Sequence, residues 1–391
     1  MFLKKNYGLF EGRVKCLKTV CDVNLCAGCY ACTEICPKDA ITVIDDTNSL
    51  NAVIDEKKCI HCKACEKVCQ QIHPIELKQP IAWFQGWCND DSSRSRSSSG
   101  GFAYELMKRF ISEGGVVCSC VYNNTHFVYK IASSEVDLEK YRGSKYVKSN
   151  PEGIYSEIRS IIDSHRKVLF IGLPCHVAGL KCYLGKYDDE LLYTADLICH
   201  GSPSQKLLKK FLAEKRVPLD SISNISFRKK SVFRLSYRTN NSEVSIAPQG
   251  VRDRFTIGFL KGLFYTKNCY SCRYATQNRV SDITLGDSWG SSLGMEEGRK
   301  GISLAICQTE KGIQLLQKSD IKLMDVNIEK AIMANHQLRE PSKMTKERDL
   351  FFSLIKAGNT INKSIRRCYP KMCFRQSIKA ILIKCHLYKQ V

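Results

Sequence analysis

Twenty-two cysteines stand in this 391-residue sequence, and eight of them fall between positions 26 and 69. The stretch reads Cys26-Ala-Gly-Cys29-Tyr-Ala-Cys32-Thr-Glu-Ile-Cys36-Pro37, then repeats as Cys59-Ile-His-Cys62-Lys-Ala-Cys65-Glu-Lys-Val-Cys69. Each half follows the spacing C-x2-C-x2-C-x3-C. Three thiolates in one turn reach three corners of a [4Fe–4S] cube, and the fourth, on the helix that follows, reaches the neighbouring cube. The spacing therefore predicts Cys26, Cys29, Cys32 and Cys69 on one cluster, and Cys59, Cys62, Cys65 and Cys36 on the other. Gly28, Ala31 and Ala64 leave room for the chain to wrap an inorganic core.

This is the spacing of a bacterial two-cluster ferredoxin. Pro37 closes the first half as the pattern asks, but Gln70 follows Cys69 in the second. The plainer alternative is a pair of structural zinc sites. Zinc takes four ligands per ion, usually as separated cysteine pairs rather than an eightfold interleaved array. Radical chemistry on S-adenosylmethionine would ask for C-x3-C-x2-C, which the sequence lacks. The start, Met1-Phe-Leu-Lys-Lys, carries no apolar signal run. The expected compartment is the cytoplasm, where thiols hold metal or do redox work more often than they pair as disulfides.

Apolar residues at 43% and charged residues at 25% are ordinary for a globular protein. No stretch approaches the roughly 20 apolar residues that span a bilayer. The formal charge of +21 points first to nucleic acid or an anionic surface. Two cubes with their thiolates would lower it to roughly +17. Part of the rest is terminal: Lys363, Arg366, Arg367, Lys371, Arg375, Lys379, Lys384 and Lys389 stand in 361–391 with no acid among them. No aromatic-interleaved basic motif supports nucleic acid.

The cysteine turns need elements to hold them. Ala40–Ile44 and Asn51–Ile54 read as a short hairpin between the two halves, and the module closes near Pro74–Pro80. All eight thiols lie inside it, so it is expected to be removable from the rest. Asp91-Ser-Ser-Arg-Ser-Arg-Ser-Ser-Ser-Gly-Gly101 is either a flexible linker or a loop offering N–H groups and a helix start to a phosphate. It runs into an amphipathic helix over 102–111. Strands are expected at 81–84, 116–122, 167–171 and 191–198, with helices at 154–165 and 204–215. Two strands end in Gly172-Leu-Pro-Cys175-His176 and in Cys199-His200-Gly-Ser-Pro203. In open α/β sheets that edge is where ligands bind. His176 and His200 are either proton donors or residues that order their turns. Antiparallel strands are expected over 222–247, then a helix at 252–264, the turn Cys269-Tyr-Ser-Cys272, strands near 282–287 and 302–306, and helices at 310–317 and 346–356.

Cys175, Cys199, Cys269 and Cys272 all lie at turns, which alone fits a structural zinc or buried thiols. Six motifs in order carry more: Ser98-Ser-Gly-Gly101, Gly143-Ser-Lys-Tyr-Val147, Gly172-Leu-Pro-Cys175, Cys199-His-Gly-Ser-Pro203, Cys269-x2-Cys272 and Leu285-Gly-Asp-Ser-Trp-Gly290. Together they resemble the family of coenzyme F420 hydrogenase/dehydrogenase beta subunits over roughly residues 81–355. Asn335-His-Gln-Leu338 and Arg348-Asp-Leu-Phe-Phe352 fit its C-terminal part.

The resemblance implies FAD and a third [4Fe–4S] cluster in one body. By motif, Ser98, Ser99, Gly100, Gly101, Lys145 and Tyr146 would contact the flavin or its phosphates. Gly286 and Asp287 would touch it or shape its pocket. Cys175, Cys199, Cys269 and Cys272 would be ligands of the third cluster, lying between the ferredoxin pair and the flavin. A flavin accepts two electrons and releases them singly, so it couples one-electron clusters to hydride-type chemistry. No G-x-G-x-x-G supports nicotinamide binding.

The expected architecture is α+β or α/β. A two-cluster ferredoxin module over 1–78 precedes a mixed α/β, flavin- and cluster-binding body, divided into 79–165 and 166–356, and a basic helical tail over 357–391. The expected function is an iron–sulfur flavoprotein oxidoreductase that exchanges electrons with ferredoxin or another one-electron carrier and passes them to coenzyme F420 or another small molecule. The alternatives are a relay subunit without its own substrate and a zinc protein on nucleic acid. The tail's apolar stripe, Ile378, Ile381, Leu382 and Cys385 among basic residues, suits an anionic membrane surface or an acidic partner; the plainer alternative is a terminal helix packed on the body. No catalytic acid or base is assigned.

Overall fold

The run Val168-Leu-Phe-Ile171 is apolar at every position and buried at every position, as a strand in a sheet covered on both faces must be. The computed structural model describes residues 18–239 and 242–387, with the backbone alone of 7–10 and 13–16. The basic start before Tyr7, the Cys16 side chain and Lys389 lie outside the described residues.

In chain order the strands are β1 (Tyr7–Phe10), β2 (Arg13–Cys16), β3 (Ile41–Asp45), β4 (Leu50–Ile54), β5 (Ala82–Cys88), β6 (Val116–Asn123), β7 (His126–Ala132) and β8 (Val168–Ile171). They continue as β9 (Leu192–Leu197), β10 (Asn224–Lys229), β11 (Val232–Arg238), β12 (Glu243–Ser245), β13 (Ile283–Asp287), β14 (Ser303–Cys307) and β15 (Ile321–Asp325). The main sheet has eight strands in the order β15-β5-β14-β13-β9-β8-β6-β7. Its centre, β6-β8-β9-β13, is parallel, and antiparallel strands extend it on both sides.

The helices are α1 (Ala31–Glu34), α2 (Ala64–Lys67), α3 (Asp91–Arg96), α4 (Phe102–Ser112), α5 (Ile154–Asp163), α6 (Pro174–Leu184) and α7 (Gln205–Glu214). After them come α8 (Arg254–Leu260), α9 (Met295–Lys300), α10 (Glu310–Lys318), α11 (Ile328–Ala334), α12 (Glu347–Lys356), α13 (Ile361–Cys368) and α14 (Pro370–Lys384). Alternation along β8 sorts them: Leu169 and Ile171 share a core with α4 and α10, whereas Val168 and Phe170 share one with α5 and α6. A third core joins α7, α8, α12 and α13 to β10 and β11.

The Ser-rich segment is only partly a loop. Residues 91–96 form α3, because the Asp90 carboxylate caps it, accepting from Ser92 N at 3.0 Å and Ser93 N at 3.2 Å. Likewise Cys175 and His176 lie inside α6, which starts at Pro174 with proline's fixed φ at its first position.

The N-terminal module is built into the body. Val20, Ile41, Leu50 and Cys69 belong to the same core as Tyr155, Val177 and Phe170. Glu34 of α1 accepts from Gly153 N at 3.0 Å and Ser156 N at 2.9 Å, at the start of α5. Arg348 reaches the turn between β3 and β4, donating to Asn48 O at 3.1 Å and to its side-chain oxygen. The chain leaving the module pairs Lys78 with Arg279. Removing this module would expose a shared core, so the expected free removability is corrected.

At the other end, Ile361, Ile365, Cys368 and Cys373 are buried in the third core. The tail is thus a packed element as far as the start of α14, while Phe374, Ile378 and Ile381 on α14 stay exposed. Among the described residues, no helix is long and apolar enough to cross a membrane.

Candidate functional site

The two N-terminal cysteine turns repeat in their backbone as well as their sequence. Gly28 and His61 both have positive φ, at 65° and 56°, and so do Tyr30 and Lys63, at 63° and 61°. These left-handed residues curl each turn so that an amide faces the first sulfur. Gly28 N lies 3.4 Å from Cys26 Sγ, and His61 N lies 3.4 Å from Cys59 Sγ. Ala40 N similarly approaches Cys36 Sγ at 3.3 Å. Amides donating to sulfur stabilise thiolate charge and tune a bound iron–sulfur centre.

Cys26, Cys29, Cys32 and Cys69 line one cavity of about 20 Å³. Cys21 lines it too, beside Cys26 and Cys69. That neighbour is the first cause holding the Cys26 and Cys69 thiols below their ordinary value, against burial. Burial instead pushes Cys29 and Cys32 up. On the second turn Cys62 is exposed, with Cys59 and Cys65 half-buried beside it. The first set is therefore internal and the second faces outward.

A second cavity, of about 40 Å³, is lined by Cys175, Cys199, Cys269 and Cys272, residues up to 97 positions apart in sequence. Cys175 comes from the first turn of α6 beyond β8, and Cys199 from the turn after β9. Both stand at the C-terminal edge of the parallel strands, and a 3-10 turn over Lys267–Ser271 carries Cys269. Burial pushes Cys175 and Cys199 up to about 12 each. Gly201 N approaches Cys199 Sγ at 3.4 Å. Lys148 is buried here with its ammonium 3.8 Å from Cys269 Sγ. Burial would lower its pKa, but the four sulfurs outweigh that and hold it above the ordinary value. Thiols crowded in a dry space ionise poorly, and a metal offsets their charge. Both sets suit iron–sulfur ligation by donor type, shared cavity and N–H···S contacts, although among the described residues no three such side chains are gathered closely enough to hold a metal ion.

Beside the second cavity, Arg228 on β10 gathers three of the motifs. Its guanidinium grips Asp287 in a fork, at 2.6 and 2.7 Å, donates to Ser98 O at 2.7 Å, and reaches the Tyr146 hydroxyl at 3.3 Å. Tyr146 stacks on Phe259 with ring centroids 4.6 Å apart, and Trp289 lies 5.8 Å from the arginine. Arg228 Nε is buried without a hydrogen-bond partner among the described residues. Arg228 thus keeps one N–H unpartnered beside aromatic rings while Asp287 pairs its charge, a wall that suits a ring-bearing group. Asn335 joins from behind, its side chain donating to Asp287 O at 3.3 Å.

Other expected contacts are directed elsewhere. The half-buried Lys145, pushed down to about 8 by burial, donates to Tyr141 O at 2.7 Å and Arg142 O at 2.9 Å. Ser99 donates to Ile302 O at 2.9 Å, and Gly100 N donates to Ser303 Oγ at 2.9 Å. Gly101 has φ of 97°, and a Cβ there would lie 2.6 Å from Cys88 Sγ. Its glycine is required by packing on β5. Gly286 similarly admits Ile198, which would lie 2.5 Å from an added Cβ.

His176 is fully buried, its Nδ1 2.9 Å from the Tyr129 hydroxyl, and burial pushes it down to about 3. It is neutral at ordinary pH and orders the start of α6. His200 lies at the surface with its ring 6.0 Å from that of His336.

Sequence reasoning missed Lys148, Arg228 and Cys21. Lys148 stood three positions past Lys145 in the same segment, and Cys21 five before the first ligand. Arg228 carried no motif signal.

Residues 25–73 match the family described as 4Fe-4S dicluster domain. Residues 165–329 match the family described as coenzyme F420 hydrogenase/dehydrogenase, C terminus of the beta subunit. This chain is an iron–sulfur oxidoreductase related to those subunits. The oxidoreductase is 24% identical over 291 residues to a subunit of the F(420)H(2) dehydrogenase of Methanosarcina mazei, covering 68% of this chain and 78% of that one. It is 20% identical over 332 residues to the coenzyme F420-dependent sulfite reductase of Methanocaldococcus jannaschii, covering 80% of this chain but only 48% of the relative. In three dimensions it aligns with a chain of the F420-reducing [NiFe] hydrogenase complex of Methanosarcina barkeri, solved with xenon. The TM-score is 0.48 at 17% identity, over 68% of this chain and 90% of that one.

Proposed function

We propose that the oxidoreductase is an iron–sulfur flavoprotein that moves electrons between ferredoxin-type clusters and FAD, and on to a small two-electron acceptor. The observation that carries this reading is the convergence of Cys175, Cys199, Cys269 and Cys272 on one cavity. That cavity is also lined by Leu25, Ala27 and Gln71 of the module, and Cys199 adjoins His200 near Arg228. In this reading Cys26, Cys29, Cys32 and Cys69 hold one cluster and Cys59, Cys62, Cys65 and Cys36 a second. The body's four cysteines hold a third. The exposed Cys62 face, with Ile60 55% exposed beside it, receives a ferredoxin or similar carrier.

Arg228, Ser98, Tyr146 and Asp287 would hold the FAD. When bound, a flavin exchanges electrons singly with clusters and in pairs with an acceptor. Arg228 supplies the fixed positive charge, Asp287 aims it, and Tyr146 with Trp289 forms an aromatic wall. Both named relatives act with coenzyme F420 or its reduced form, which makes a deazaflavin the first acceptor to try. On α14, the exposed Phe374, Ile378 and Ile381 among basic residues form a contact face for an anionic membrane surface.

The test is anaerobic purification followed by acid extraction of flavin, for the wild type and Arg228→Met. Full-length protein with FAD that Arg228→Met loses, at unchanged iron, supports the reading. Absence of flavin from the wild type, with cluster absorption intact, favours a relay subunit instead. That second reading draws on the Methanosarcina mazei relative being a subunit of a dehydrogenase.

A further inference from the structure

Gln70 stands where the first half of the cysteine repeat carries proline. It is fully buried, and both ends of its amide are used. Nε2 donates to the backbone carbonyl of Cys175 at 2.6 Å, and Oε1 accepts from the Tyr274 hydroxyl at 2.5 Å. The Gln70 carbonyl also accepts from Arg273 at 3.4 Å. Proline could make none of the side-chain contacts. One side chain, covalently next to Cys69, is thus tied to Cys175 and to the residue two beyond Cys272.

We propose that Gln70 is a positioning residue that fixes the distance and the contact between the Cys26–Cys69 centre and the Cys175–Cys272 centre. The proposal rests on the reading that both thiol sets hold clusters. In the step concerned, one electron leaves the first centre, which is oxidised, and enters the second, which is reduced. No proton or leaving group moves. The route from Cys69 runs through the bonds of Gln70, crosses one short hydrogen bond, and reaches Cys175 through its own backbone.

Physical reasons favour this role over simple filling. A buried amide left unpaired is costly, so a pair of satisfied bonds holds the Cys175 carbonyl in one orientation. Partners behind the ligands commonly set ligand orientation, and their loss costs about 10–100-fold in affinity or activity. Cys29 independently shows the same closeness, since it packs on Gly179 of the helix that carries Cys175.

The test uses full-length holoprotein and two variants, Gln70→Leu and Tyr274→Phe. Rapid-freeze electron paramagnetic resonance follows the electron after reduction by dithionite, and also reads magnetic coupling between the centres. With iron content unchanged, Gln70→Leu should slow arrival at the body's centre about 10-fold or more and alter the coupling. Tyr274→Phe, which frees Oε1 but leaves Nε2 on Cys175, should do so to a smaller degree. Wild-type transfer and coupling in Gln70→Leu would overturn the proposal. Should Gln70→Leu lose iron, wild-type behaviour of Tyr274→Phe overturns it equally. Cys175→Ser separates the two levels. Undiminished iron there rejects the ligand reading, whereas reduced iron there with normal transfer in Gln70→Leu rejects Gln70 alone.

Discussion

Cys29 lies directly against Gly179 in α6: a Cβ on the glycine would sit 2.6 Å from Cys29 Cβ and 3.0 Å from its Sγ. The module and the body therefore meet at a cysteine, on the helix whose first turn carries Cys175.

Gly179→Ala should force the two layers apart. The new methyl group also meets the Tyr155 hydroxyl at 3.1 Å, so no side is free to yield. Overpacking of this kind costs about 1–3 kcal/mol. Thermal unfolding should occur earlier, and the N-terminal clusters should be lost to a chelator faster than in the wild type. An unchanged midpoint would mean that the contact is soft.

Arg348→Met should loosen the other edge of the module. Arg348 is buried and ties Asn48 to Leu263 O at 3.2 Å and to the Tyr270 hydroxyl at 2.9 Å. Each buried acceptor left without a donor costs about 1–3 kcal/mol. Limited proteolysis should then cut near residues 46–49 in the variant before it cuts the wild type. Equal cutting would place the restraint elsewhere.

Lys148→Met should lower the reduction potential of the cluster proposed for the body. The buried ammonium lies 3.8 Å from Cys269 Sγ, and a nearby positive charge favours the added electron. Potentiometric titration followed by electron paramagnetic resonance reads the shift. The N-terminal potentials should move less, and a shift to higher potential would contradict this electrostatic account.

Much of this arrangement was legible in the sequence because its signals were local. The cysteine spacing in 26–69 and the apolar runs of β8 and β9 depend on neighbours along the chain. So do the turns that end those strands at Cys175 and Cys199. What stayed hidden depends on long-range packing. Gln70 reads as a defect in a repeat until Cys175, 105 positions on, is placed beside it. Lys145 and Lys148 are equivalent on paper, and only the course of the chain decides which one faces sulfur. Gly101 invited a phosphate-loop reading, since glycine before a helix has that use. Cys88 on a neighbouring strand shows a packing need that also requires glycine. Arg228 follows no motif, because its partners come from three separate segments.

In the proposed function three cysteine sets hold three clusters, and the third lies in the body. Anaerobic iron, sulfide and flavin determination on the wild type beside Cys175→Ser tests it most directly. Three [4Fe–4S] clusters give about 12 iron and about 12 sulfide per chain. The expected result is that wild-type content, and a loss of about 4 of each in Cys175→Ser with the N-terminal cluster signals retained. Equal iron in the two proteins, or zinc in place of iron, would contradict it.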